Sequence, residues 1–336
     1  MYKYASSEVY SVTLTTKTPV FIGSGSTIGK KEFFVDRNKI HVLDMDAVMK
    51  AVFQNGLIND FQNLMLSNNY SSTHEFLKSF FTDTEIKEMI RYSCQCADVF
   101  SYGKPPTEIQ QFWHTPNNHP YIPGSSVKGA IRTCLIGAEL LDEQPVKYSE
   151  IKDRIHKLEN KYNNIMRYLS VSDSEPLAPT DLTLCKKYDV NTLGTAKPLN
   201  LVRECIAPGK KLKFKITIDC SDNVLTLKTL QYAIKRFSEF YTDMTKNCYD
   251  LPDNCGVFTY DNNLILGGGC GYLSKTVVYE AAEYDEALEF TANFMMDKFK
   301  NKHNHDIEDG VSPHTLKYTK YSGLFYPFGI CSLEFK

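Results

Sequence analysis

The sequence predicts an α+β fold, and three observations support this prediction. Its 336 residues have the composition of a globular domain, with 42% hydrophobic residues, 23% charged residues and a formal net charge of −2. Apolar and polar residues alternate in several short runs, as they do in half-buried strands. In other stretches the apolar residues recur every three or four positions, as on the buried face of a helix.

The first half of the chain is predicted to contain strands followed by a helical insert. Polarity alternates over residues 12–18, which predicts a first strand that ends at the turn-forming residues 23–26. Residues 33–35 and 40–43 flank a four-residue turn and predict a hairpin. Most apolar residues of the next segment fit a helical period, so residues 44–119 are predicted to form a helical insert.

The second half is predicted to complete one elaborated domain that spans residues 1–336. Helices are predicted at residues 127–138, 148–169 and 224–244, and strands near residues 169–172, 182–188, 199–206, 212–218 and 264–266. Without the inserts, the order is strand, helix, strand, strand, helix, strand, which is the split βαβ plan of a ferredoxin-like or RRM-like (βαββαβ) sheet. Residues 277–336 are then a C-terminal extension.

The cysteines and the hydropathy predict a cytoplasmic protein. Ten cysteines are scattered along the chain without the density of a disulfide scaffold, which favours a reducing compartment. The N-terminal residues lack the pattern of a signal peptide, and no apolar run approaches the roughly 20 residues that span a bilayer. Cysteine and histidine spacings do not fit a zinc site, so neither a metal nor a cofactor is predicted.

The first candidate anion site is the start of the helix near residue 125. With Ser125 as the N-cap, the first-turn N–H groups from Ser126 onward point at a ligand together with the positive end of the helix dipole. Lys128 and Arg132 lie four positions apart on one face, and Gly129 between them lets a ligand backbone approach closely. An ordinary capped helix with two exposed cations is the alternative interpretation.

The second candidate is a loop with four glycines in five positions after the last predicted strand: Gly267, Gly268, Gly269 and Gly271. Successive N–H groups in such a loop can face one concavity and bind an anion. The loop fails the dinucleotide fingerprint because position 272 is Tyr272, and it fails the P-loop pattern because Ser274 precedes Lys275. A flexible surface turn is the alternative.

The third candidate is a row of lysines. Lys211, Lys213 and Lys215 would share one face of a strand, a spacing that suits a phosphate backbone. An edge strand protected by lysines explains the same pattern.

Signatures of enzymes are weak in this sequence. It contains no nucleophile elbow, HExxH or paired metal-binding carboxylate motif. His41, His114 and His119 are candidate acids or bases for RNA cleavage, although one sequence does not bring them together.

The two glycine-containing candidates occur in a familiar combination. Residues 121–132 read YIPGSSVKGAIR, residues 267–272 form the glycine-rich loop, and residues 17–25 read KTPVFIGSG. In their order and spacing these segments resemble the RAMP superfamily of CRISPR effector proteins, and within it the Csm subunits of type III-A systems. The resemblance covers nearly the whole chain in motif order.

The resemblance implies an RRM-like core that binds CRISPR RNA and caps the backbone filament of a Csm complex near the 3′ end of the guide. The implied partners are CRISPR RNA, other Csm subunits, above all the repeated backbone RAMP subunit, with target RNA and host nucleases that trim the guide as further candidates. The implied roles are guide maturation and antiviral defence. The residues implied to bind RNA are Ser24, Lys30, Lys31, Ser125, Ser126, Lys128, Gly129, Arg132, Lys186, Lys187, Gly267, Gly268, Gly269, Gly271, Tyr272 and Lys275.

The resemblance also implies roles for the inserts. Residues 173–205 would form a thumb that acts against a splayed base, and residues 44–119 would form a lid or a protein interface. Related subunits that cut target RNA carry an aspartate after the first strand, whereas residues 23–32 here contain none, with Glu32 as the only acidic substitute. The chain is therefore expected to be non-catalytic. The alternatives are a metal-independent RAMP endoribonuclease and a nucleotide-binding module that uses Lys275.

Overall fold

The described part of the chain consists of two β-sheets and ten helices. The computed structural model describes residues 7–67, 73–100, 106–221, 224–256, 262–300 and 307–336. The strands are β1 (Ser7–Thr16), β2 (Gly23–Gly29), β3 (Phe33–Asp36), β4 (Lys39–Leu43), β5 (Ile90–Gln95), β6 (Glu108–Phe112), β7 (Leu169–Val171), β8 (Leu182–Asn191), β9 (Ala196–Ile206), β10 (Lys211–Asp219), β11 (Asn263–Ile265), β12 (Thr315–Tyr321), β13 (Leu324–Pro327) and β14 (Ile330–Phe335). The helices are α1 (Met45–Gln54), α2 (Ile58–Leu66), α3 (Thr73–Phe80), α4 (Asp83–Glu88), α5 (Ala97–Phe100), α6 (Gly124–Asp142), α7 (Tyr148–Ile165), α8 (Leu227–Cys248), α9 (Val278–Ala281) and α10 (Tyr284–Phe299).

The first sheet has five antiparallel strands in the order β11-β14-β1-β10-β7. Leu14 pairs with Leu212 and Val12 pairs with Phe214 across β1 and β10, and all four side chains are buried. Because successive side chains of a strand point to opposite faces, this register gives the sheet one apolar and one polar face. Helices α6 and α8 contact each other and the edge strands, and they cover the apolar face.

The strand next to β1 comes from the C-terminal end of the chain. The strand predicted near residues 264–266 is present as β11, but it pairs with β14 and not with β1. β14, from the predicted extension 277–336, pairs with β1 through registers such as Leu14 with Leu333. The mixed α+β class is confirmed, whereas the last strand of the predicted order occupies a different position. A three-residue strand offers too little pattern for its partner to be read from the sequence.

The second sheet contains nine strands, of which seven follow the order β2-β6-β9-β8-β5-β4-β3. β12 pairs with β13 and with residues 187–191 of β8, so it extends the sheet along the C-terminal half of β8. The segment 173–205, expected to form a thumb, contains β8 and most of β9, which lie in the middle of this sheet.

The insert 44–119 combines helices with strands. It contains α1 to α5, and β5 and β6 also fall within it. Its helices enclose a small apolar core of their own, with Val48, Val52 and Leu77 fully buried. The larger core lies between the two sheets and the other helices.

All ten cysteines are free thiols. Within the described ranges, no helix combines the length and the apolar composition needed to cross a membrane.

Candidate nucleic-acid interface

The glycine-rich loop is fixed in place by the segment that follows β1. Gly267, Gly269 and Gly271 have φ angles of +92°, +87° and +94°, a backbone conformation that residues other than glycine rarely adopt. The N–H of Gly268 donates to the carbonyl oxygen of Phe21 at 2.7 Å, and a Cβ at Gly267 would lie 2.1 Å from the same oxygen. The loop therefore needs glycine both for its backbone conformation and for its close packing.

Arg203 lies directly under this loop. Its guanidinium group stacks 4.8 Å from the ring centre of Phe21 and 5.8 Å from that of Phe328, while Nε donates to Oε1 of Gln110 at 2.8 Å. Nη1 is buried and has no hydrogen-bond partner among the described residues. A Cβ at Gly269 would lie 2.2 Å from this Nη1, so the guanidinium group occupies the space that a side chain would need.

Two lysines extend the positive charge beneath the loop. Lys187 of β8 is opposite Thr319 of β12, and Lys317 is opposite Asp189. Nζ of Lys317 lies 2.7 Å from Oδ1 of Asp189, and its Cγ would lie 3.4 Å from a Cβ at Gly271. We call Lys187, Arg203 and Lys317 the basic cluster.

The basic cluster carries more positive than negative charge. Burial lowers the pKa of Lys187, the charges of Lys317 and Arg203 lower it further, and Asp189 opposes the shift. Burial also lowers the pKa of Arg203. An anion such as a phosphate at the surface of this cluster would relieve this repulsion.

The start of α6 differs from the prediction. The helix begins at Gly124 with Pro123 as its N-cap, so the prediction that Ser125 is the N-cap was wrong. Oδ1 of Asp173 accepts from the N–H of Gly124 at 2.8 Å, and a Cβ at Gly124 would lie 2.1 Å from the carbonyl oxygen of Val171. The end of β7 therefore sets where the helix starts. The first N–H of the helix already donates to a carboxylate of the protein itself.

The remaining residues of the α6 motif lie on an accessible face. Ser125 and Gly129 are exposed, Ser126, Lys128 and Arg132 are half-buried, and Gly129 has open space around the position of a Cβ. Nη2 of Arg132 donates to the carbonyl oxygen of Glu159 on α7 at 3.2 Å. Lys128 and Arg132 are thus available to a ligand at this face, although Arg132 is partly engaged by α7.

The candidates in β2 and in the turn between β2 and β3 have local roles. Oγ of Ser24 donates to the carbonyl oxygen of Gln111 at 3.2 Å. Lys30 is exposed, whereas Lys31 is 9% exposed and its pKa is lowered by burial and by the charge of Lys30. Lys30 is therefore more accessible to a polyanion than Lys31.

The other candidates lie near the basic cluster or along the glycine loop. Lys186 is half-buried in β8 beside Lys187. The ring of Tyr272 lies 6.1 Å from that of Phe294, and burial raises its pKa. Lys275 is exposed, and its N–H donates to the carbonyl oxygen of Tyr272 at 2.9 Å, which closes the loop.

The lysine row lies on the polar face of the first sheet. Lys211, Lys213 and Lys215 are exposed and face Thr15, Thr13 and Ser11 across β1. β10 pairs with β1 along these lysines, whereas β7 pairs with it only at residues 216–218. On the β7 side, the N–H groups of Ser172 and Glu175 donate to the carbonyl oxygens of Lys215 and Lys213, so this edge is only partly covered and protection of an edge strand remains an explanation for these lysines.

The three candidate histidines have separate partners. Nδ1 of His41 lies 2.7 Å from Oγ of Ser93, and Nδ1 of His119 lies 2.9 Å from the carbonyl oxygen of Leu177. Burial lowers the pKa of His114 to about 4, which keeps its ring neutral. No contact joins these three rings into an acid–base pair within the described residues.

A buried carboxyl group that the sequence did not single out lies beside His114. Glu204 of β9 is fully buried and accepts from the hydroxyl of Tyr92 at 2.6 Å and from the N–H of Phe112 at 3.0 Å. Nε2 of His114 lies 3.8 Å from its Oε2. Burial raises the pKa of Glu204 to about 7. In the sequence this residue is the single acidic residue of the basic stretch 197–215, and no pattern marks it as buried.

Fold and site together define an α+β protein with a glycine-lined basic interface. The sequence model described as "RAMPs: RAMP superfamily" matches residues 13–294. The chain belongs to the RAMP superfamily.

Several relatives are similar to this chain over most of their length. It is 27% identical to the "CRISPR system Cms protein Csm5" of Enterococcus italicus, over 98% of both chains. It is 26% identical to the protein of the same name from Mycobacterium tuberculosis, over 97% of both chains, and 28% identical to that of Streptococcus thermophilus, over 81% of both.

Two solved structures share the fold. A chain of a structure described as "Cryo-EM structure of Csm-crRNA-target RNA ternary complex in type III-A CRISPR-Cas system" matches with a TM-score of 0.69 and 20% identity, over 97% of this chain and 100% of that one. The crystal structure of Csm5 from T. onnurineus matches with a TM-score of 0.59 and 18% identity, over 95% of this chain and 99% of that one.

Proposed function

We propose that the chain is a subunit of a type III-A CRISPR effector complex that binds CRISPR RNA and caps the backbone filament near the 3′ end of the guide. Membership of the RAMP superfamily and the similarity to proteins named Csm5 support a place in such a complex. Its partners are CRISPR RNA, target RNA, the other Csm subunits and the nucleases that trim the guide. Its free thiols suit the reducing cytoplasm, where we place the complex.

The observation that carries RNA binding is the glycine loop seated on the basic cluster. The buried guanidinium group of Arg203 lies under the loop, and Lys187 and Lys317 add positive charge beside it. Gly267, Gly268, Gly269 and Gly271 are half-buried and have no side chains, so an RNA backbone can approach their accessible backbone closely. Contacts of this kind fix the position of a polyanion without reading its sequence, and base pairing by the guide supplies specificity.

Two further surfaces would extend the RNA path. The exposed face of α6 offers Ser125, Ser126, Lys128 and Arg132, and the lysine row on β10 offers three more cations. The basic cluster lies on the second sheet and the lysine row on the first, so the guide would cross from one sheet to the other.

We infer that β14, β1, β10 and β7, with α6 and α8, form an RRM-like core. Their order in the sheet is that of a ferredoxin-like fold in which β14 takes the place of the fourth strand of the chain, next to β1. Residues 173–205 would bring Lys186 and Lys187 to the guide from the second sheet. The helical part of the insert 44–119 would serve as a protein interface.

Several observations support a non-catalytic role. Residues 23–32, which form β2 and the turn after it, contain no aspartate, and the carboxylate of Glu32 accepts from the N–H of Gly29 and so has a structural bond. His41, His114 and His119 are bound to different partners, and the ring of His114 is neutral. No observation favours the endoribonuclease or the nucleotide-binding module over RNA binding.

Incubation of the purified chain with labelled CRISPR RNA in EDTA tests this proposal. We expect a stable complex and protection of the 3′ part of the guide without new products. Defined cleavage products that disappear in His119→Ala or His41→Ala would contradict the non-catalytic role. Failure to bind CRISPR RNA at low salt would contradict RNA binding itself.

A further inference from the structure

A pocket of about 280 Å³ lies on the helical side of the molecule, between the end of α6, the middle of α8 and the segment that joins α9 to α10. Phe240, Tyr279 and Tyr284 contribute aromatic rings to its wall, and aliphatic side chains complete it. Its carboxylates belong to Glu280 and Glu283, with Glu143 at the rim. No lysine or arginine lines it in the described part of the chain. This composition repels RNA, so the pocket is separate from the basic interface.

Glu280 is the unusual group in this pocket. It is 6% exposed, its carboxyl group accepts from its own backbone N–H, and no opposite charge among the described residues shifts its pKa. Burial raises its pKa to about 8, with only its own backbone N–H opposing the shift. A buried carboxylate without a counter-charge is costly unless a ligand supplies one.

The other polar groups of the pocket already have partners that hold the walls in place. The hydroxyl of Tyr279 donates to the carbonyl oxygen of Ser312, and that of Tyr284 donates to the carbonyl oxygen of Gly310 at 2.8 Å. Glu143 pairs with Arg154. Because these groups are satisfied, Glu280 and the exposed Glu283 are the carboxylates left to a ligand.

We propose that this pocket binds an alkylammonium group, with Glu280 as its ion-pair partner at the base and aromatic rings around it. Carboxylates supply the counter-charge, the faces of Phe240, Tyr279 and Tyr284 attract a cation, and the aliphatic wall accepts the methylene stem. Such a group is carried by a free polyamine or by a lysine side chain.

Isothermal titration of the full-length chain without RNA tests this site. The two probes are spermidine, for the free amine, and Nα-acetyl-lysine methylamide, for the lysine side chain. We expect saturable one-to-one binding of at least one probe, and the tighter of the two identifies the source. Glu280→Gln should weaken that binding about tenfold, because it removes one charge-assisted partner.

Two further variants complete the test. Glu283→Gln changes an exposed carboxylate and should not affect folding, so it tests the pocket even if Glu280→Gln impairs folding. It should weaken binding of the probe about threefold. Glu239→Gln removes an exposed carboxylate of α8 that pairs with Lys235, and it should leave binding unchanged. Absence of saturable binding by both probes, or equal binding by the wild type and both pocket variants, would overturn the proposal. Since no RNA is present, neither result depends on the proposed RNA interface.

Discussion

Gly269 and Arg203 share one space, because a Cβ at Gly269 would lie 2.2 Å from Nη1 of the arginine. The guanidinium group is held on its other side by Phe21 and Gln110. The glycine loop therefore packs directly against the second sheet. The guanidinium group of Arg203 fills the space that a side chain at position 269 would need.

Gly269→Ala should disturb both stability and RNA binding. Its φ of +87° would cost an alanine about 1–2 kcal/mol, and Arg203 would have to move as well. Thermal unfolding and binding of CRISPR RNA are the measurements. Gly209→Ala is the matched control, because Gly209 has a φ of +81° and open space around it. Equal effects of the two substitutions on RNA affinity would contradict a special role for Gly269.

Gly129→Ala should separate stability from function. Gly129 is helical and exposed, with no atom within 4 Å of the position of a Cβ. Alanine should therefore stabilise the fold by about 1 kcal/mol. If RNA approaches the helix backbone here, the same variant should bind CRISPR RNA more weakly despite its higher melting temperature. A more stable variant with unchanged affinity would remove Gly129 from the interface.

Lys128→Ala should weaken CRISPR RNA binding and flatten its dependence on salt. The slope of log affinity against log salt should fall by about 0.7 for a lost phosphate contact. Lys235→Ala, which removes an exposed lysine on α8, provides the control. A salt slope identical in both variants would assign Lys128 to the solvated surface.

Glu204→Gln should change how stability depends on pH. Burial raises the pKa of Glu204 from 4.5 to about 7, so between these values the folded protein keeps a proton that the unfolded chain releases. This contribution to the free energy of unfolding amounts to roughly 3 kcal/mol. It is present in full below pH 4.5 and is lost as the pH rises through 7. Burial lowers the pKa of the neighbouring His114, which makes its own contribution fall as the pH drops below 6.5.

Urea unfolding of the wild type and Glu204→Gln at pH 5 and pH 8 isolates the carboxyl group, because His114 is common to both. The wild type should lose stability relative to the variant as the pH rises. A difference between the two proteins that stays constant with pH would contradict a protonated Glu204.

The sequence contained enough information for some elements and not for others. β1, β10 and α6 were predicted because each buries one face, which imposes a period of 2 or 3.6 on its apolar residues. An anion site at Gly267, Gly268, Gly269 and Gly271 was predicted from the density of glycines alone, and it stays a prediction. Lys317 was missed because its position near Gly271 depends on the pairing of β12 with β8, between residues far apart in the chain. The N-cap of α6 was misassigned because Asp173, also distant in sequence, supplies the capping carboxylate.

The affinity of CRISPR RNA for the double variant Lys187→Gln with Lys317→Gln, measured over a series of salt concentrations, tests the central claim most directly. Both substitutions keep polar side chains but remove two of the three charges under the glycine loop. We expect affinity at least about tenfold lower and a salt slope smaller by about 0.7 for each lost contact, with Lys235→Gln unchanged. A folded double variant that binds CRISPR RNA with the affinity and the salt slope of the wild type would contradict the basic cluster as the guide-binding site.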